Sequence, residues 1–395
     1  MTYATHPLAG GTGPSAAPRV HLDNAGRAPW HPLARQAFLQ ALDEGWADPR
    51  RLHSEGRRAA TLLDGAREAI AHAVGARTSE VHFTPTHTAA LHTGLQAVAA
   101  GRHRAGADVV VGAIERAAVL HAAHAAATAL GGRRSVIPAD RLGRVDADAM
   151  TDAIAAPGVA VAALQHANGE VGTLQPVGRV HAAAREAGVP LVVDAGASLG
   201  HTEVGEAWDV LAADPADWGA PAGVGVLAVR GRVRAVPPGA QDGEPWAPGG
   251  VSVPAAFAAA VGLQAVLADR AAQDARRREL VDRIRAAVTS VPDVEVVGAP
   301  HDRLPHVVTF SFLYVDGEAL LAELDRAGFA VGSGSACTSD TLEPSHVLAA
   351  MGVLTHGNVR VALDRTTTDA DVDRFVGALP GAVARVRDLL GAGAL

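Results

Sequence analysis

The sequence predicts an α/β protein with a large, mainly parallel-sheet domain followed by a smaller α+β domain. Short β-branched or apolar runs alternate with helical patterns over the first part of the chain. A Gly- and Pro-rich stretch, Pro237–Gly250, ends that alternation, and the remainder mixes strands and helices in a different order. Strand–helix alternation covers a parallel sheet on both faces with helices. A chain of 395 residues, 48% of them hydrophobic, is long enough for more than one core.

Residues 1–19 are rich in Gly, Ala, Pro and Thr and lack the charged-then-apolar order of a signal peptide, so they read as a flexible arm. Residues 20–255 form the expected large domain. Within it Asp108–Val111, Val159–Leu164, Pro190–Asp194 and Gly225–Val229 read as buried strands, because they are short apolar runs bounded by turn residues. Ala117–Leu130, Asp146–Ala155 and Val177–Ala187 read as the helices between them. Residues 256–395 form the expected small domain. A long helical pattern runs from Pro254 to about Val291, with Leu263, Val266, Leu267, Leu280 and Ile284 on its apolar positions. Strands Val294–Val297, Val307–Phe312 and Val359–Leu363 and helices Glu318–Ala327 and Asp369–Leu390 complete it.

The net charge of −8, with basic residues scattered among 42 acidic ones, argues against a nucleic-acid partner. The one cysteine, Cys337, cannot form an intramolecular disulfide, and no apolar run suits a membrane span. A cytoplasmic protein is expected. The histidines His87, His92, His121 and His124 read as helix-surface residues, because no HExxH or Cys/His cluster accompanies them; no metal is expected. All 34 residues counted as Lys+Arg are arginine, so the chain contains no lysine.

Several stretches carry a family likeness: His21-Leu-Asp-Asn-Ala25, Phe83-Thr84 through Leu95, Gln165-His-Ala-Asn-Gly-Glu-Val-Gly-Thr-Leu-Gln-Pro176, Val192-Val-Asp-Ala195, Pro221-Ala-Gly-Val-Gly225, and Gly332-Ser-Gly-Ser-Ala-Cys-Thr-Ser339 followed by Leu342-Glu-Pro-Ser-His-Val347. In this order they resemble the NifS/IscS-type cysteine desulfurases, a branch of the class V aminotransferases. The resemblance spans about residues 20–385 and implies a fold-type-I PLP-transferase architecture, a homodimer, and a sulfur-donor or sulfur-acceptor protein as partner.

The resemblance also implies site residues. The family's aldimine lysine corresponds to Asp217, its preceding histidine to Ala216 and a phosphate-binding serine to Asp214. The phosphate turn becomes Thr86-His87-Thr88, keeping only Thr88, and the ring-stacking histidine becomes Arg116. Asp194, the partner of the pyridine nitrogen, and Asn168 are kept. An arginine cannot make an imine, and carboxylates repel a phosphate, so no PLP is expected, and Asp194, Thr88 and Asp214 read as vestiges of its cradle. Arg116 is expected to pair either with Asp194, as that acid's new partner, or with Asp217 or Asp214. Cys337, in a Gly/Ser loop, corresponds to the nucleophilic thiol that carries sulfur as a persulfide, and Arg360 to the arginine that binds a small carboxylate-bearing substrate. Three functions follow as alternatives: PLP-independent sulfur transfer through Cys337, a non-catalytic scaffold or regulator of an authentic desulfurase, or a new reaction in which Asp217 or Asp214 acts as acid or base beside Arg116.

Overall fold

A computed structural model describes residues 18–239, 243–334 and 344–391. Its larger sheet has seven strands in the spatial order Val81–Thr84, Gly225–Val229, Val210–Ala213, Leu191–Asp194, Val159–Gln165, Asp108–Gly112 and Arg134–Ile137. Gly225–Val229 runs antiparallel to both of its neighbours; the other pairings are parallel. Every residue of Val159–Gln165 is buried, which explains why that strand reads as a continuous apolar run rather than an alternating one. Helices lie on both faces and form two apolar layers, one around Ile70, Leu164 and Trp208 and the other around Leu91, Val111 and Val161.

A second sheet of three antiparallel strands, ordered Asn358–Ala362, Val307–Phe312 and Val294–Val297, builds the smaller core with helices Arg270–Val288, Gly317–Arg326 and Asp369–Leu389. The long helical pattern breaks at Asp269 into Val253–Ala268 and Arg270–Val288, which meet at 71°. Ala256, Leu263 and Val266 of the first piece pack in the large core, whereas Leu280 and Ile284 of the second pack in the small one. The division between cores therefore falls at this bend, not at the expected 255/256. The chain start crosses over as well: Val20–His21 pairs in parallel with Phe329–Ala330, and Val20 and Leu22 belong to the small core.

After that crossing, residues 24–31 thread between the two cores. Asn24 Nδ2 donates to the Ala362 carbonyl at 2.8 Å, Ala28 N to Ala216 at 2.9 Å and His31 N to Gly219 at 2.7 Å. Gly219 is required for the last of these. Its φ is +83°, and a Cβ there would lie 2.7 Å from the Pro29 carbonyl oxygen. Among the described residues no single helix is long and apolar enough to cross a membrane.

Candidate functional site

The carboxyl ends of parallel strands point their loops into a common crevice, where ligands of open α/β sheets bind. Here that crevice is filled by charged side chains. Asp194 ends the strand Leu191–Asp194 and is 5% exposed. Its Oδ1 accepts from Gly196 N at 2.8 Å and lies 2.9 Å from His87 Nε2, while Oδ2 accepts from Arg116 Nε at 3.3 Å. Burial pushes the Asp194 carboxyl up, but His87 and Arg116 outweigh it and hold the group far below the usual carboxylate range. Among the described residues Arg116 thus pairs with Asp194, one of its two expected arrangements, and not with Asp217 or Asp214.

His87 is the residue that sequence reasoning misplaced. It begins the helix His87–Gly101 behind the N-cap Thr86, whose hydroxyl accepts from Ala89 N at 3.0 Å. It is 4% exposed, not a surface residue, and its Nδ1 lies 3.9 Å from Asp214 Oδ2. Two glycines make room for it. A Cβ on Gly196 would come within 2.3 Å of the His87 ring, and one on Gly225 within 2.4 Å of the Thr86 carbonyl. The signal was present in the sequence, since His87 replaces a small residue in the Thr86-His87-Thr88 turn.

Asp214 caps the short helix Pro215–Trp218, accepting from Ala216 N at 3.1 Å. Burial and then the neighbouring Asp217 raise its carboxyl above the ordinary value, against the pull of His87. Asp217, on the same turn, faces away from Arg116. Its Oδ1 accepts from Gly26 N at 2.7 Å, and Oδ2 lies 2.9 Å from His201 Nε2. His201 Nε2 is aligned instead with the Asp217 carbonyl at 3.2 Å, leaving Oδ2 without a donor. Behind His201 stand Arg277 and His306, both buried, and none of these three was singled out from the sequence.

Glu115, fully buried, accepts from Gln165 N at 3.1 Å, and burial raises its carboxyl well above the ordinary range. Asn168 is 2% exposed and spends its amide on the turn that follows Val159–Gln165. Its Nδ2 donates to the Ile114 carbonyl at 3.0 Å, and its Oδ1 accepts from Glu170 N and Val171 N, each at 2.9 Å. That makes it a turn-former in this arrangement. Thr88 is exposed on the first turn of its helix. Arg360, in the small sheet, donates from Nη2 to Asp23 Oδ1 at 3.0 Å, and among the described residues its Nε has no partner. Cys337 lies outside the described residues.

The Aminotransferase class-V family matches residues 20–375. The chain is 31% identical over 380 residues to the cysteine desulfurase IscS of Dictyoglomus turgidum, covering 94% of this chain and 96% of that one. It is 33% identical to cysteine desulfurase IscS 1 of Archaeoglobus fulgidus, with coverage of 93% and 98%, and 36% identical to a cysteine desulfurase of Cereibacter sphaeroides, with 94% and 97%. This chain belongs to the cysteine desulfurase family. Solved structures agree on the fold. A NifS-like protein matches with TM-score 0.84 at 22% identity, covering 94% of this chain and 99% of its own, and one from Rickettsia africae with TM-score 0.81 at 20% identity, covering 92% and 99%. The architecture is therefore that of the fold-type-I PLP enzymes.

Membership in the cysteine desulfurase family corrects the expectation of no cofactor, because the homologous desulfurases are PLP-dependent and point to PLP. The residues of this desulfurase-family site fit that group poorly. The chain has no lysine for a Schiff base, and the acceptor for a pyridine nitrogen, Asp194, is already in contact with His87 and Arg116. PLP would have to be held by noncovalent contacts.

Proposed function

We propose that this member of the cysteine desulfurase family transfers sulfur through a persulfide on Cys337. The donor is a persulfide, R–S–SH. The Cys337 thiolate attacks its terminal sulfur, the donor S–S bond breaks as the Cys337–S bond forms, and R–S⁻ leaves, carrying the electron pair. An acceptor thiolate reverses the same exchange, so no external oxidant or reductant is consumed.

The observation that carries this reading is the attachment of Gly332 and Gly334, shortly before Cys337 in the chain, to the strand that holds Arg360. Gly332 pairs with Arg360 across an antiparallel bridge, and Gly334 N donates to Asn358 Oδ1 at 2.8 Å. Gly334 is three positions from Cys337, and three residues of chain span at most roughly 10–11 Å. The last described residues before Cys337 are thus bonded to the strand of Arg360, whose Nε has no partner among the described residues. That guanidinium suits the carboxylate of a small persulfide such as cysteine persulfide. Gly332 must be glycine for this approach, since a Cβ there would lie 2.4 Å from Asp23 Oδ1 and 2.9 Å from Arg360 Nη2.

The test compares two donors. With cysteine persulfide, Arg360→Met should slow sulfur capture about tenfold to a hundredfold, the worth of a charged hydrogen bond of about 1.5–3 kcal/mol. With a persulfide lacking a carboxylate, Arg360→Met should match the parent chain, and Cys337→Ser should abolish capture from both. Capture by Cys337→Ser, or equal slowing with both donors, would contradict the reading.

A second reading, a scaffold that docks on an authentic desulfurase, is favoured by the His87–Asp194–Arg116 contacts that occupy the crevice. It requires that Cys337→Ser leave function intact. Either reading suits a homodimer, because Trp30, Leu33, Leu39, Leu42, Trp46 and Leu52 are exposed along one short stretch of chain.

A further inference from the structure

Between the two cores, where residues 24–31 pass, lies a cavity of about 380 Å³. Among the described residues, four buried polar atoms with no aligned hydrogen-bond partner belong to residues that line it: Asn24 Oδ1, Gln273 Oε1, His306 Nδ1 and Asp217 Oδ2, the last 2.9 Å from a His201 Nε2 aligned with the Asp217 carbonyl instead. Asn24, Asp217 and His306 are 3%, 1% and 2% exposed. Three of the four atoms are oxygens that only accept. The Asn24 amide N–H groups go to the Ala362 and His21 carbonyls, and that of Gln273 to Asp269. Acceptors cannot satisfy one another, and a buried acceptor left bare costs about 1–3 kcal/mol. A molecule rich in N–H donors complements these acceptors, and Asp217 sets its charge as positive.

The other charged groups around the cavity are already matched. Arg277 donates to Asp274 at 2.8 Å and to His201 Nδ1 at 3.1 Å; Arg365 pairs with Asp269; and Asp364 accepts from Thr366 N and Thr367 N. His31 Nδ1 accepts from Leu33 N.

His201, Asp217 and His306 bring ligand-type atoms within 4.8 Å of one another, which raises the question of a metal ion. The hydrogen bonds answer it. An arginine only donates, so His201 Nδ1 carries the lone pair facing Arg277, and the ring proton is on Nε2, toward Asp217. A metal on Nε2 would have to displace that proton. The His201 and His306 rings are also stacked, with centroids 3.9 Å apart and planes 28° apart. Lone pairs in near-parallel ring planes run side by side instead of converging on an ion. The remaining walls, Trp30, Trp218, Val266 and Leu363, are apolar, and Trp30 is 42% exposed. Carbon, not hydration water, suits them, and an indole face favours a cation.

We propose that this cavity binds a primary organic ammonium, its charge facing Asp217, with the Asn24 and Gln273 oxygens of the same lining as further acceptors and its carbon body lying against Trp30 and Leu363. The site is independent of Cys337 and does not rest on the sulfur-transfer reading.

The experiment is isothermal titration of the full chain with benzylammonium chloride, beside benzyl alcohol, benzoate and sodium chloride as matched controls. Saturable binding of benzylammonium alone is expected. Asp217→Asn should weaken it at least tenfold, and Trp30→Ala and Gln273→Leu severalfold each. Those two residues are not fully buried, so their variants keep the test open if Asp217→Asn does not fold, as circular dichroism would reveal. No saturable heat up to millimolar benzylammonium would overturn the proposal and leave water as the occupant. Equal binding of benzyl alcohol would remove the role of charge. Stoichiometric Zn²⁺ binding abolished by His306→Gln, without ammonium binding, would assign the cavity to a metal.

Discussion

Asp194 contacts both His87 and Arg116 in the crevice, so removing its charge is the sharpest perturbation of the site. Asp194→Asn keeps an oxygen for Gly196 N–H but strips the charge that faces His87 at 2.9 Å and Arg116 at 3.3 Å. Breaking a buried pair from one side costs about 3–5 kcal/mol. The Arg116 side chain is 38% exposed, so its share is screened by water, and the low end, about 3 kcal/mol, applies. At roughly 2 °C per kcal/mol for a domain of this size, the large-domain melting transition should fall by about 6 °C at neutral pH. The sign of the pH dependence follows from the depressed carboxyl. Asp194 stabilises the fold fully above the unfolded carboxylate value near 4, and the contribution is lost as pH falls toward the lower folded value. The gap between parent and Asp194→Asn should therefore narrow below pH 4. A cycle with His87→Leu should show a coupling of about 1 kcal/mol or more. Calorimetric scans of the four proteins measure both, and an Asp194→Asn protein that melts with the parent at neutral pH would refute the pairing.

Glu115 behaves in the opposite sense. Its carboxyl is raised by burial, so its stabilising contribution is complete below the unfolded value and declines as pH rises; Glu115→Gln should match the parent at pH 4.5 and melt higher at pH 8. His82 and His166 are pushed down to about 4, His82 by burial and then Arg67 and His166 by burial alone. Unfolded histidine binds protons first on acidification, so each withdraws up to about 1.4 kcal/mol per pH unit between 6.5 and 4, and His166→Gln should flatten that slope in urea midpoints. Gly225→Ala would set a Cβ 2.4 Å from the Thr86 carbonyl and 2.6 Å from His87 N; a loss of at least about 2 kcal/mol by chemical denaturation is expected.

The strands Asp108–Gly112, Val159–Gln165 and Leu191–Asp194 were legible because each is buried on both faces and reads as an unbroken apolar run. Val210–Ala213 was not, since four residues of Val, Leu and Ala carry no period. The bend at Asp269 was hidden for another reason. No Gly or Pro marks it, and the pattern of Leu263, Val266, Leu280 and Ile284 runs straight across while the two halves join different cores. At the site, Asp194, Arg116, Asp214 and Asp217 were picked out by position and Asp194 was one expected partner of Arg116, but the partners of Asp214 and Asp217 were not. Arg116 meets Asp194, and Asp217 meets Gly26 and His201, because residues 24–31 and the helix after Asp269 converge on the turn at Asp217. Those are contacts between segments far apart in sequence, which local pattern cannot supply. His87 was readable only as a large residue in a turn that usually takes a small one.

The central claim is that Cys337 carries sulfur, and the intact mass of the purified chain after incubation with a persulfide donor tests it most directly. A gain of one sulfur atom, located on Cys337 by alkylation and removed by reductant, is the result the account predicts. An unchanged mass with Cys337 still open to alkylation would contradict it.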